Sequence, residues 1–431
     1  MNIIISGGSF VNKGAEAMLR TVQAELIRRM PGIVFYIWQL PESYCQNASS
    51  SGFIPILLPF NRTRRSSSWR ETVNANQILW SLKELARVHD PSQLAAIFNK
   101  NNLLAAACRN YLDRTTDGFD AWLDISGFAY GDVWGIGGFR NVHPVLTYCR
   151  QNGMPSIFLP QAWGSFENPD VRHELCRLLG GQKTVFYSRD ESSCRFLEKA
   201  LGKPSGAIRA YPDMVFCFQG GGEEQGREVL RRMGCSMKRP IIGVAPNMRV
   251  FERMTGQGTD NPYLQAMVKL IDHCLSKHDV DIVLQASEIE SHAFSLDDRY
   301  LCSLVAASVS RPDRCFMTHE PLSAELTKAL IGRFEFLIGS RFHSLVFGFS
   351  QGIPALAVSW SHKYRELFAQ FEMGDYVQEC QEVDADELIM KFEKVWSERQ
   401  KLRSIIIDKV NQLRVEVNAL FDEVAAYINE P

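Results

Sequence analysis

Arg341 and His343 stand two residues apart in Gly339-Ser340-Arg341-Phe342-His343, where an apolar run gives way to a helical pattern. Arginine offers a permanently charged planar fork that holds a carboxylate or phosphate through two N–H groups. Histidine titrates near neutrality. Together they suit an acidic substrate that must also be protonated. A second turn, after the run Ala355 to Trp360, carries His362, Lys363 and Arg365.

The flanking segments explain how these groups are presented. Phe334 to Ile338 reads as a buried parallel strand, and the helix Phe342 to Gln351 is stopped by Gly352 and Pro354. Both turns then lie at carboxyl ends of strands, the edge where open α/β sheets bind ligands. A helix N-terminus at that edge also favours anions.

The same alternation recurs along the chain. A strand at Asn2 to Ser6, a glycine-bearing loop with Asn12-Lys13-Gly14, a helix over Ala15 to Arg29 and a strand at Val34 to Leu40 make a β-loop-α-β opening. Residues 41 to 118 show no clear pattern beyond helical spacing and a Ser/Arg stretch, Asn61 to Arg70, read as an exposed loop. Further strands are expected at Ala121 to Ile125, Ser156 to Pro160, Val185 to Ser188 and Ile208 to Tyr211. Gln219 to Glu224 lacks an apolar anchor and marks a boundary. A second series follows, with strands at Ile241 to Ala245, Asp281 to Gln285, Cys315 to Thr318, Phe334 to Ile338 and Ala355 to Ser359. Residues 384 to 426 read as helix throughout. The expected architecture is α/β: two doubly wound Rossmann-like domains, 1–218 and 219–383, facing across a cleft, with C-terminal helices over 384–431 packed upon them.

Composition excludes several classes. The 431 residues carry a net charge of −2, which does not favour nucleic acid as a partner. The 11 cysteines show no CxxC pair or zinc spacing, so free thiols and no metal are expected. No stretch has the apolar length of a membrane span, and the opening lacks the features of a signal peptide. These features predict a soluble, cytoplasmic protein. The Arg62 to Arg70 cluster could touch an anionic membrane surface, although a solvated loop is the simpler reading. Nothing in the sequence bears on oligomeric state.

Several motifs recur in a recognisable order. They are Gly7 to Gly14, Asp124-Ile125-Ser126-Gly127-Phe128, Leu159-Pro160-Gln161-Ala162-Trp163-Gly164, Ser188-Arg189-Asp190-Glu191-Ser192-Ser193, and Tyr211-Pro212-Asp213. Gly339-Ser340-Arg341-Phe342-His343, Gly352-Ile353-Pro354 and Lys363 complete the set. Over residues 1 to about 370 the chain resembles the polysaccharide pyruvyl transferase family. It departs in the opening loop, where Ala15-Glu16 follow Gly14, and after Gly127, where Phe128-Ala129-Tyr130 interrupt a glycine run. The resemblance implies a GT-B-like fold and transfer of pyruvate from phosphoenolpyruvate to a sugar as a cyclic ketal. Such chemistry needs no further cofactor. The acceptor would be an oligosaccharide or a nucleotide- or lipid-linked precursor.

Such a donor carries a carboxylate and a phosphate, so at least two cationic or anion-binding groups are needed, together with an acid and a base. The resemblance places Arg189, Ser340, Arg341, His343 and Lys363 on the donor, with His343 and Arg341 catalytic. Asn12, Glu16, Asp124 and Trp163 fall on the acceptor side. Each has a plainer reading: Asn12 and Asp124 as turn residues, Asp190 as a helix cap, Lys363 as a surface lysine, and Trp134 and Trp163 as packing. Two alternatives remain at this level. One is a nucleotide-sugar glycosyltransferase or epimerase, with Glu320 or Glu325 as the ribose-binding acid. The other is a non-catalytic protein of the same fold.

Overall fold

The structure, a computed structural model, describes residues 1–38, 45–56, 118–180, 183–256, 258–289 and 297–430. Its frame is two six-stranded parallel sheets of identical winding. The first is ordered β3-β2-β1-β4-β5-β6, from β1 (Asn2–Ser6), β2 (Val34–Trp38), β3 (Phe53–Ile56), β4 (Ala121–Asp124), β5 (Ser156–Gln161) and β6 (Thr184–Ser188). The second is ordered β12-β11-β10-β7-β8-β9, from β7 (Ile241–Ala245), β8 (Asp281–Leu284), β9 (Cys315–Met317), β10 (Phe336–Gly339), β11 (Ala355–Ser359) and β12 (Val377–Glu379). In each, the order reverses beside the first strand, which is the doubly wound arrangement.

Strand character follows from burial on both faces. β1, β4, β5, β7, β10 and β11 are runs of Ile, Leu, Val, Ala and Phe with essentially no exposed residue, as parallel strands covered by helices require. The expected strand at Ile208 to Tyr211 does not form. Ala210 makes only an isolated bridge to Ser188, because the chain turns at Pro212 into a short 3₁₀ turn, Met214–Cys217. Two short edge strands, β3 and β12, carried no readable signal; β3 contains Pro55, a residue tolerated at sheet edges. The boundary segment Gln219 to Glu224 is held rather than loose. Gly221 N–H donates to Glu325 O (3.0 Å), and a helix starts at Glu223.

The halves share an apolar core. One cluster runs from the opening helix (Lys13–Arg29) through Phe216 and Phe218 into the second sheet. The C-terminal helix, Ala385–Asn429, is about 67 Å long and belongs to both halves. Near its start Phe392 and Trp396 pack on Phe336. Farther on, Glu423 accepts from Tyr187 (2.9 Å) and Tyr211 (2.8 Å), and Asp422 pairs with Arg29 (2.7 Å) of the first half. This helix therefore ties the two sheets together. No helix among the described residues is long and apolar enough to cross a membrane, and the cysteines with described side chains are free thiols. The Asn61 to Arg70 stretch and His89 lie outside the described residues.

Candidate active site between the two sheets

β6 ends at Ser188, and the next two residues, Arg189 and Asp190, are almost wholly buried. Asp190 caps the following helix, accepting from Ser193 N–H (2.7 Å), and leaves its Oδ2 without a partner among the described residues. Arg189 donates one N–H to Asp213 Oδ2 (2.8 Å) and lies 4.1 Å over the Phe342 ring. Its Nε is buried and unpartnered. Phe342 and His343 come from the other half, at the start of the helix Phe342–Phe349 after β10. Arg189, Asp190, Asp213 and Phe342, with Lys363, Glu366, Leu367 and Gln370, surround a small cavity between the sheets.

Asp213 is the joint between the halves. Its Oδ2 lies 3.6 Å from His343 Nε2 and also accepts from Arg189, while Val215 N–H donates to its other oxygen (3.0 Å). Burial alone would raise the Asp213 pKa. The facing His343, Arg189 and the backbone N–H outweigh it and hold the carboxyl below its usual range. Burial lowers the His343 pKa, and the Arg189 and Lys363 cations lower it further against the pull of Asp213. His343 is thus biased towards the neutral ring, with an Nε2 that makes no hydrogen bond among the described residues. Lys363 is pushed well below the ordinary lysine range by burial, then by Arg189 and Arg341. Its Nζ faces the rings of Trp360 (4.7 Å), Phe128 (5.1 Å) and Phe342 (5.3 Å) and meets no carboxylate among the described residues. A cationic fork and a lysine lacking a carboxylate partner among the described residues therefore line one cavity, and a poised imidazole stands behind Asp213 at its wall. Such a set can take up a small polyanion and move a proton.

Gly14 explains the position of the His343 ring. A Cβ added at Gly14 would fall 2.0 Å from His343 Nδ1, so only glycine lets the opening loop rest on the imidazole. The loop is held there by an interdomain pairing: Lys13 N–H donates to Ser287 O (2.9 Å) and Ile289 N–H to Val11 O (3.1 Å).

The expected residues thus separate. Arg189, His343 and Lys363 come together. Arg341 is buried nearby, but its two terminal nitrogens are bonded to Glu288 and Asp298. Ser340 is fully buried, its hydroxyl accepting from Tyr263 (2.8 Å) and its carbonyl from Asn247 (2.6 Å) and Tyr364 (2.7 Å). Arg341 and Ser340 therefore brace the turn. Asn12 caps the opening helix through Gly14 N–H (3.0 Å) and Ala15 N–H (3.3 Å), the plainer of its two readings. Glu16 is buried against Lys13 (3.1 Å). Asp124, wholly buried, accepts from the Ser126 N–H and hydroxyl, Gln161 and Tyr130, and burial brings its pKa to about 6. Trp163 lies in the core, stacked on Tyr130 with its N–H donated to Tyr187 O (3.0 Å). None of these four lines the cavity. Sequence reasoning missed Asp213 as the joint, although Tyr211-Pro212-Asp213 had been singled out as a motif. It also missed Asp190, Glu366 and Phe342 as cavity walls. Glu320 and Glu325, the ribose-binding candidates, are engaged by Arg232 (3.0 Å) and Arg20 (3.3 Å). His273 and His278 share Glu393 of the long helix, at 2.7 and 2.8 Å.

Comparison with known proteins identifies the fold and the family. The fold is similar to UDP-bound UGT89C1 of Arabidopsis thaliana (TM-score 0.56, 12% identity, 99% of each chain covered). It is also similar to MurG of Acinetobacter baumannii (TM-score 0.52, 10% identity, 98% of each chain). A third similar fold is the UDP-GlcNAc 2-epimerase of Neisseria meningitidis (TM-score 0.54, 12% identity, 98% of this chain and 99% of that one). At such identities the likeness establishes a GT-B-like fold and no more. In sequence the chain is 19% identical over 360 residues to the amylovoran biosynthesis protein AmsJ of Erwinia amylovora, covering 82% of this chain and 84% of that protein. The family model for polysaccharide pyruvyl transferase matches residues 12–362, from the helix cap at Asn12 to the turn at His362, and the chain belongs to that family.

Proposed function

We propose that the protein transfers the pyruvyl group of phosphoenolpyruvate to two hydroxyls of a sugar in a polysaccharide or its precursor. One hydroxyl oxygen bonds to donor C2 as C3 takes a proton and becomes a methyl group. The second hydroxyl then displaces phosphate at C2, and its proton leaves with the phosphate. The products are a cyclic ketal and inorganic phosphate.

The observation that carries this reading is that Arg189 and Lys363 line one cavity between the halves while His343 stands behind its wall, 3.6 Å from Asp213, with Arg189 Nε and His343 Nε2 both lacking a hydrogen-bond partner among the described residues. Arg189 and Lys363 would hold the donor's carboxylate and phosphate. His343, backed by Asp213, would bind the phosphate when protonated or deliver the proton to C3. Arg341 acts at one remove, by fixing the turn that presents His343. Water must be kept from the donor, whose hydrolysis competes with transfer.

Thermal stability with and without phosphoenolpyruvate tests the reading. A ligand specific for the folded state stabilises by about 2.7 kcal/mol at a hundredfold excess over its dissociation constant. A rise that inorganic phosphate does not reproduce and that Arg189→Ala removes is expected. A rise with UDP-sugars and none with phosphoenolpyruvate would transfer the reading to nucleotide-sugar chemistry.

A further inference from the structure

Beside the donor cavity, three half-buried rings from both halves of the chain meet: Phe128 and Trp134 from the segment after β4, and Trp360 from the end of β11. Two of the three pairs meet edge-on and the third, Phe128 with Trp360, is tilted at 41°. Phe128 is 5.9 Å from Trp134 at 76°, and Trp134 is 6.2 Å from Trp360 at 88°. Lys363 lies over Trp360 (4.7 Å) and Phe128 (5.1 Å) and Arg253 over Trp360 (4.6 Å), so the rings form an apolar patch with cations upon it, whereas the stacked Tyr130 and Trp163 cover each other in the core. An apolar face with polar groups at its margin is what a pyranose ring, apolar on one side and hydroxylated at its rim, fits best.

The margin holds three buried polar atoms without a hydrogen bond among the described residues: Trp134 Nε1, His362 Nε2 and Asp190 Oδ2. The His362 ring sits between Phe128 (5.8 Å) and Phe196 (5.6 Å), both edge-on, and its Nε2 lies 3.9 Å from Asp190 Oδ1 across the junction between the halves. This is a second histidine–carboxylate pair, separate from His343 and Asp213. Lys363 joins the two places, since it lines the donor cavity and its Nζ also faces Trp360 and Phe128.

We propose that these rings seat the acceptor pyranose, with one of its hydroxyls between His362 and Asp190, and that His362 is the base for that hydroxyl. The inference rests on the pyruvyl-transfer reading for its donor. In the first step the O–H bond breaks to His362 Nε2 and the O–C2 bond forms. C3 takes its proton from protonated His343, and solvent returns both rings to their starting states. The groups facing His362 suit a base. Burial favours the neutral ring, as do the Arg189 and Lys363 cations, while Asp190 and Glu379 oppose them; the balance lowers its pKa. The assignment supplies the separate base that a single His343 cannot provide while it acts as the acid.

Saturation-transfer NMR on the full chain tests the subsite, using methyl α- and β-glycosides of galactose, glucose and mannose with and without phosphoenolpyruvate. Wild type is expected to saturate the ring protons of at least one glycoside. Trp360→Leu and Trp134→Leu should each weaken that binding about fivefold while leaving the phosphoenolpyruvate stability shift in place. His362→Gln should keep glycoside binding and the donor shift, lower kcat for phosphate release far more than it raises KM, and remove the acidic limb of the pH profile. Glycoside binding indifferent to both tryptophan substitutions would overturn the subsite. So would a folded wild type that binds none of the glycosides. Full kcat in His362→Gln would overturn its role as base. Absence of a phosphoenolpyruvate shift in wild type would overturn the donor reading alone, because the glycoside arm without donor still decides the subsite.

Discussion

Arg189 and Arg341 arise from the same sequence logic, a guanidinium just past the end of a strand, yet the fold uses them differently. Arg341 is neutralised by two carboxylates of its own half, Glu288 and Asp298. Asp298 also accepts from the Met248 (3.1 Å), Ser287 (3.1 Å) and Glu288 (2.8 Å) N–H groups, so this arginine anchors a buried network. Arg189 has one carboxylate, Asp213, which it shares with His343 across the junction, and it lines the cavity; the Nε of each arginine has no hydrogen-bond partner among the described residues. A buried cation with all its partners inside one half is structural. One whose partner is divided between halves is available to a ligand.

The difference is sharpest in paired substitutions. Arg341→Met strands the buried Asp298 and the part-buried Glu288 and is expected to cost about 3 kcal/mol of stability in denaturant titration. Arg189→Met leaves Asp213 its histidine, so stability should fall by only about 1 kcal/mol while phosphoenolpyruvate binding weakens about 100-fold by calorimetry. The opposite pattern, with Arg341→Met stable and unable to bind donor, would break the contrast.

Gly14→Ala probes the junction from the other side. Its Cβ would displace the His343 ring, so a loss of about tenfold in donor affinity is expected, with about 1 kcal/mol lost in stability. Unchanged donor affinity would show that the ring's position is not critical.

Proton linkage gives a smaller but more specific signal. In the free protein burial, Arg189 and Lys363 lower the His343 pKa. A bound polyanion opposes those cations and raises it, so binding should take up protons just below the ordinary imidazole range. Calorimetry in buffers of different ionisation enthalpy would measure the uptake, and His343→Asn should reduce it. Equal uptake in that variant would assign the proton elsewhere.

One expected change in stability is a gain. Lys363 has a folded pKa below its unfolded one, so its burial costs stability at low pH, a cost that fades as pH rises towards the ordinary lysine range. Lys363→Met should therefore stabilise by about 1 kcal/mol near neutrality, less at alkaline pH, and abolish donor binding. A destabilised variant would mean that the surrounding rings stabilise the ammonium more than burial penalises it.

Much of the fold was legible before the structure. Apolar runs identify β1, β4, β5, β7, β10 and β11, since strands covered on both faces admit little else. β3 and β12 were not legible, being short edge strands with little apolar demand, and Ile208 to Tyr211 looked like a strand but makes one isolated bridge, Ala210 to Ser188, before the chain turns at Pro212. In the site, Arg189, His343 and Lys363 could be nominated from residue type and position after a strand. Their grouping could not.

The sequence by itself determined the two windings, the edge at which ligands meet them and the cationic chemistry of that edge, because these depend on local periodicity and residue type. Tertiary structure alone decided which cation is free and which is bound. It also decided that Asp213 and Gly14 of the first half hold His343 of the second, and that His362 faces Asp190. Those outcomes depend on distances across the junction between two independently wound sheets, which no local pattern in the chain encodes.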